Sequence, residues 1–121
     1  MGKHIFLALT NPTPGREKDF NDWYDNHHLR EVVTYLPGFV SGQRYRLAEN
    51  QRSGESPPWR YLACYQVETD DLVGFHEAQF EVFRSQPGLL TRDGGACDPD
   101  HAAWVYTPIG EEALRPAPEG G

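Results

Sequence analysis

Residues Asp19–Gly38 read DFNDWYDNHHLREVVTYLPG, and the spacing of apolar side chains within them decides how the first half of the chain folds. At about 100° per residue, Phe20, Trp23, Tyr24 and His27 fall in one arc roughly 100° wide, the width of a buried helix face. Leu29, Val32, Val33 and Leu36 form a second arc of about the same width that points nearly opposite. One straight helix cannot bury both. The pattern predicts about three turns of helix, a kink or one-turn break near His28, and a second short helix that ends at Leu36 before Pro37-Gly38. His28 stands where the phase changes, and a break there frees backbone groups and leaves room for a side chain to turn inward.

Upstream, KHIFLALT (3–10) is short, apolar on both faces and stopped by Asn11-Pro12-Thr13-Pro14-Gly15, which predicts a buried strand. Downstream, 39–47 alternates as a second strand, with Phe39, Ser41, Gln43, Tyr45 and Leu47 on one face and Val40, Gly42, Arg44 and Arg46 on the other. A polar loop spans 49–58. WRYLACYQV (59–67) is a third strand with Trp59, Tyr61, Ala63, Tyr65 and Val67 on one side. Asp70 is placed to cap a second helix that runs to about Gln86, with Leu72, Phe75, His76, Gln79 and Phe83 on its inward arc. Residues 89–100 read as a loop, and HAAWVYTPI (101–109) as a fourth strand. Residues 1–110 then make one domain, and the acidic, Pro- and Gly-rich stretch 111–121 reads as a disordered tail.

The order β-α-β-β-α-β is that of the α+β ferredoxin-like fold, a four-stranded antiparallel sheet with two helices on one face. The strands are apolar on both faces, so the face without helices is expected to be covered by a second copy, making a homodimer.

A net charge of −7 and a pI near 5.1, with eleven basic residues scattered along the chain, argue against a nucleic-acid partner. No apolar run reaches the ~18 residues of a membrane span and no signal pattern opens the chain, so a soluble cytoplasmic protein is expected. Cys64 and Cys97 are expected to be free thiols. A glycine-rich phosphate loop, a Cys-x-x-Cys pair and a serine nucleophile motif are all missing from the sequence.

The chemistry-bearing residues are the histidines. An imidazole can move a proton near neutral pH, which nominates His28 as principal acid or base. His76, on the inward arc of the second helix, and His4, which shares a strand face with Phe6 and Ala8, are its candidate partners. Tyr24, Tyr45, Tyr61 and Tyr65 are candidates to donate to a developing enolate oxygen or to orient substrate. Trp23, Trp104, Phe75 and Phe80, with Trp59, are candidates to sandwich a flat ring. His27, His28 and Glu31 lie close in sequence, but adjacent histidines on a helix diverge by about 100°, so no metal is expected, and no other cofactor.

Phe20, Trp23-Tyr24-Asp25-Asn26, His28-Leu29 and Glu31-Val32, with Pro37-Gly38-Phe39-Val40, Gln43-Arg44-Tyr45 and the preceding 11–17, resemble the EthD-like group of the dimeric α/β-barrel superfamily. The resemblance covers about residues 4–70. It implies a dimer whose sheets face each other, and a pocket in each subunit between sheet and helices into which His28 points. His4 is similar in place to the strand histidine of plant polyketide cyclases of that superfamily. Two positions depart from the pattern: Arg30 stands where relatives usually carry proline, and His27 where an apolar residue is usual. The function expected is a cofactor-independent enzyme that uses histidine acid/base catalysis on an aromatic or polyketide-like small molecule, as a cyclase, dehydratase or other lyase or isomerase. A cofactor-free oxygenase of a phenolic substrate and a non-catalytic ligand-binding or stress-response barrel are the alternatives.

Overall fold

The computed structural model describes residues 2–119. Four strands, β1 (Lys3–Thr10), β2 (Phe39–Arg46), β3 (Tyr61–Glu68) and β4 (Ala102–Tyr106), form an antiparallel sheet in the order β2-β3-β1-β4. With two helical layers on one face this is the ferredoxin-like arrangement anticipated from the sequence. The second helical layer is α3 (Leu72–Ser85), capped by Asp71, whose side chain accepts from the Gly74 N–H at 3.0 Å, and not by Asp70. Asp70 instead accepts from the Gly2 N–H at 2.6 Å.

The first helical layer corrects the expected break. α1 (Glu17–Trp23) passes through a π-helical turn (Tyr24–His28) into α2 (Leu29–Tyr35), and Trp23, Tyr24, His28 and Leu29 all keep right-handed helical dihedrals. In an α-helix, residues four apart drift by about 40°, and a wider π turn takes up that drift. Phe20, Tyr24, Val32 and Leu36 are therefore buried on one side, with His28 between them at the same spacing. The two opposed arcs of the sequence are joined by one extra residue per turn. Arg30 carries a backbone N–H, so nothing at that position forces the helix to stop.

A second irregularity corrects the faces of β2. Pairing with β3 skips a residue between Phe39 and Ser41, so Phe39 faces Val67 while Gly42 and Arg44 face Tyr65 and Ala63. Phe39 and Arg44 thus lie together on the helix side, and Tyr45, opposite Leu62, lies on the outer side. The buried core packs Phe20, Tyr24, Val32 and Leu36 of this layer against Tyr61, Ala63 and Tyr65 of β3, with Ala96, Val67 and Phe75 also buried. Gly42 lets these layers approach: a Cβ there would sit 2.7 Å from the Tyr65 ring and 3.1 Å from Leu29 Cδ1. We expect Gly42→Ala to destabilise the chain by about 1–3 kcal/mol, since overpacking a close contact forces rings or backbone to shift. An unchanged midpoint in a urea titration would show that the layers have slack.

On the outer side, Tyr45, Trp104 and Tyr106 are 51%, 57% and 55% exposed, beside half-buried Leu7, Leu9 and Leu62. Residues 107–118 hold no helix or strand and are exposed; the last two residues of the stretch read as a disordered tail lie outside the described part. Among the described residues no helix is long and apolar enough to cross a membrane.

Candidate active site

The π turn places its side chains over a cleft of about 770 Å³. Phe6, Ala8 and Ala103 of the sheet form its floor, Trp23, Tyr24 and His28 one wall, and the segment from Leu90 to Pro99 the other. A chamber of about 140 Å³ adjoins it, and Phe6, Ala8, Tyr24, His28, Phe83 and Leu90 border both spaces. His28 stands at their junction.

His28 is held by rings. Trp23 stacks on it with centroids 4.4 Å apart and planes 20° apart, and Tyr24 meets it edge-on at 5.0 Å. Trp23 is anchored in turn, its indole N–H donating to the Thr91 carbonyl at 2.8 Å. The Thr91 backbone N–H and hydroxyl both donate to the Glu31 carboxylate, at 2.9 and 3.0 Å. The far wall is pinned as firmly: the Thr13 N–H donates to the Ala96 carbonyl at 2.8 Å, and the Asp98 N–H to the Asn11 carbonyl at 2.9 Å. Ala96 is completely buried.

Burial dominates the electrostatics of this wall. It pushes the His28 imidazole down to about 4, against the opposing pull of Glu31 and Asp93, so the ring is neutral at physiological pH. Its Nδ1 is buried without a hydrogen-bond partner, as is the Tyr65 hydroxyl, and both residues border the chamber. Burial also raises the Tyr24 and Tyr65 phenols; the two hydroxyls influence each other while Tyr65 stays outside bonding geometry. Arg44 sits beneath them, its guanidinium 4.5 Å from the Tyr24 ring centroid, and it favours the ionised form of both phenols. Asp25 at 2.7 Å and the Asn21 carbonyl oxygen at 2.9 Å hold it there. Cys97 borders the cleft too, but burial and the nearby Asp93 and Asp98 push its thiol up to about 11, so it is no thiolate nucleophile. Cys64 and Cys97 are both free.

The residues nominated from the sequence separate into three places. His28, Trp23, Tyr24 and Tyr65 surround the two spaces. His4 does not join them: it lies near the start of β1, its ring nitrogens 2.9 Å from Thr107 Oγ1 and 3.2 Å from the Thr69 carbonyl. His76 is exposed on α3, because the helix is turned so that Phe75 and Gln79 face inward. The three histidines therefore do not converge on one cavity. Tyr61 is buried away from His28, its hydroxyl donating to Glu17 at 3.0 Å, and Phe75 packs against Phe39 in the core. Phe80 is 71% exposed, and Tyr45 and Trp104 lie on the outer side of the sheet, so none of these three borders the site.

His27, placed on a buried arc by the sequence, is exposed, and Glu31 is engaged with Thr91. Among the described residues no three His, Cys, Asp or Glu side chains are grouped to hold a metal ion. Sequence reasoning missed Leu90, Asp93, Cys97 and Ala103, which line the cleft from a segment read as a loop and from β4. The signal was Gly94-Gly95 followed by the small apolar Ala96: both glycines take positive φ, and the turn brings Ala96 and Asp98 against Thr13 and Asn11, just after β1.

No protein-family model matches the sequence, and no curated protein matches it. Solved structures do match in fold. An EthD-like protein from Ralstonia eutropha superposes with a TM-score of 0.65 at 14% identity, over 95% of this chain and 99% of that one. A protein provisionally named as an antibiotic biosynthesis monooxygenase, from Bordetella bronchiseptica, gives 0.56 at 22% identity, over 90% and 99%. A ferredoxin-like protein of the dimeric α/β-barrel family from Mesorhizobium loti gives 0.52 at 9%, over 91% and 100%. The chain shares the ferredoxin-like fold of these proteins. At these identities the likeness is one of fold.

Proposed function

We propose that the protein is a cofactor-independent enzyme that moves a proton on an aromatic or polyketide-like small molecule, with His28 as base. One observation carries this reading: a neutral, largely buried imidazole with an unpartnered nitrogen stands at the junction of an open cleft and an apolar chamber. Buried polar groups without partners are rare, and a bound substrate oxygen or acidic hydrogen would supply one. An imidazole this hard to charge takes a proton only from an acidic carbon or hydroxyl, such as a carbon between two carbonyls or a polyphenol. Tyr24 or Tyr65 then donates to the enolate oxygen, and the imidazolium returns the proton to a different atom of the substrate. The outcome is isomerisation, cyclisation or loss of water. His4 and His76 have no part in this scheme, and a tyrosine takes the role of the second histidine. The exposed Tyr45, Trp104 and Tyr106 are assigned to a homodimer contact, since an aromatic sheet face of this kind needs cover.

A second reading is a cofactor-free oxygenase, in which dioxygen reacts with the anion that His28 creates. It is favoured by the apolar chamber beside the base and by the provisional monooxygenase names of two proteins of like fold. Incubation of the chain with 1,3-diketones and polyphenols in deuterated water under nitrogen separates these. Catalysed deuterium uptake or product formation without oxygen is the expected result. Turnover that requires dioxygen would select the oxygenase, and saturable binding with no chemistry in either atmosphere would leave a ligand-binding barrel.

A further inference from the structure

We propose that the 140 Å³ chamber is a subsite for one aromatic ring at the end of the substrate, while the larger, oxygen-bearing remainder lies in the 770 Å³ cleft. The inference rests on the reading of the paired spaces as a substrate site and narrows its substrate class.

Volume and wall chemistry both point to a single ring. Apolar cavities of about 150 Å³ stay dry and take up benzene, which matches the size of this chamber. Its wall is aromatic and aliphatic: Phe6, Phe39 and Tyr65 meet one another edge-on with centroids 5.3–6.2 Å apart, and Val32, Leu36 and Leu90 complete it. Rings prefer such edge-on neighbours, and a flat ring loses less rotational freedom on burial than an alkyl chain of equal volume. Water gains little there, because the wall is hydrocarbon apart from His28, Tyr24 and Tyr65. The cleft differs in kind. Thr91, Arg92, Asp93, Asp98 and His101 are on its border, so it suits a polar body, and its volume falls within the range of small-molecule sites. A substrate threaded through both spaces presents to His28 the atoms that join its terminal ring to its oxygenated part. An aryl-substituted polyketide or an aryl ketone has that layout.

The test needs no turnover and uses benzene as the ligand. The methyl groups of Val32 and Leu36 border the chamber alone, and those of Thr10 and Ala102 border the cleft alone. In a methyl-resolved NMR titration of the full chain, benzene is expected to shift the Val32 and Leu36 signals saturably while those of Thr10 and Ala102 stay in place. Val32→Phe, which fills the chamber, is expected to weaken benzene at least ten-fold. Shifts confined to the cleft methyls, no saturable shift, or a folded Val32→Phe chain that binds benzene as tightly as the parent would each overturn the subsite. Should that variant not fold, the titration of the parent chain decides alone. Because benzene is no substrate, a chamber that binds it stands even if no chemistry is found, and a catalyst that ignores it loses the subsite but not its reaction.

Discussion

Replacing His28 with alanine is expected to lower turnover by about two orders of magnitude or more, the usual contribution of a positioned acid or base. The imidazole lies between the indole of Trp23 at 4.4 Å and the ring of Tyr24 at 5.0 Å, so its removal leaves a ring-sized space open to the cleft. That space makes a decisive control available: added imidazole should enter it and restore part of the lost rate. The π turn owes its shape to the helix on either side, so circular dichroism should be nearly unchanged, with a modest fall in melting temperature from the lost ring contacts. Full activity in a folded His28→Ala chain would remove the residue from the mechanism. Lost activity without any rescue, accompanied by a large fall in melting temperature, would mark it as a packing residue.

The second large effect is on pH. The His28 imidazole has its pKa pushed from the ordinary value near 6.5 down to about 4 by burial. Between those values the unfolded chain binds a proton that the folded chain refuses. The stability this contributes is complete above pH ~6.5 and is lost as the pH falls toward 4, by about 3 kcal/mol in all. Denaturant titrations from pH 7.5 to 4 should show that loss, and His28→Asn, which has no such proton, should lack the part of the slope that His28 supplies. Activity follows the same group in a different way. A base that stays neutral down to pH ~4 keeps kcat/KM level through the range where an ordinary histidine would fail. An acid limb near 6.5 would mean that another group carries the proton.

Much of this architecture was legible in the sequence. The bounds of β1 follow from KHIFLALT and the turn after it, and the order of elements follows from the switching of period between helix and strand. Residue period locates a face, however, and neither a level along the element nor a partner. His4 shares the face of Phe6 and Ala8, yet at about 3.3 Å per residue it lies ~13 Å from Ala8 along the strand, at the end away from the cleft. His76 fits an apolar arc on α3 as well as its neighbours do. That helix is turned so that Phe75 and Gln79 face inward, the Gln79 side-chain amide donating to the Pro37 carbonyl at 2.8 Å, and His76 is left outward. Tyr45 and Trp104 alternate correctly along their strands, but alternation does not say which side the helices take.

What the stretch from Asp19 to Gly38 determined alone is that two apolar arcs must be buried and that the helix must change phase near His28. Both conditions are properties of residue spacing, which the chain carries before it folds. How the change is made was decided by the tertiary structure, because a π turn and a broken helix differ little in local propensity and are separated by packing. Phe20, Tyr24, Val32 and Leu36 gain burial on one sheet face only if the helix stays continuous, and that continuity carries His28 over the cleft. The segment from Leu90 to Pro99 closes the site through backbone hydrogen bonds to residues about eighty positions earlier, such as Thr13 to Ala96, and contacts of that range leave no periodic trace in a sequence.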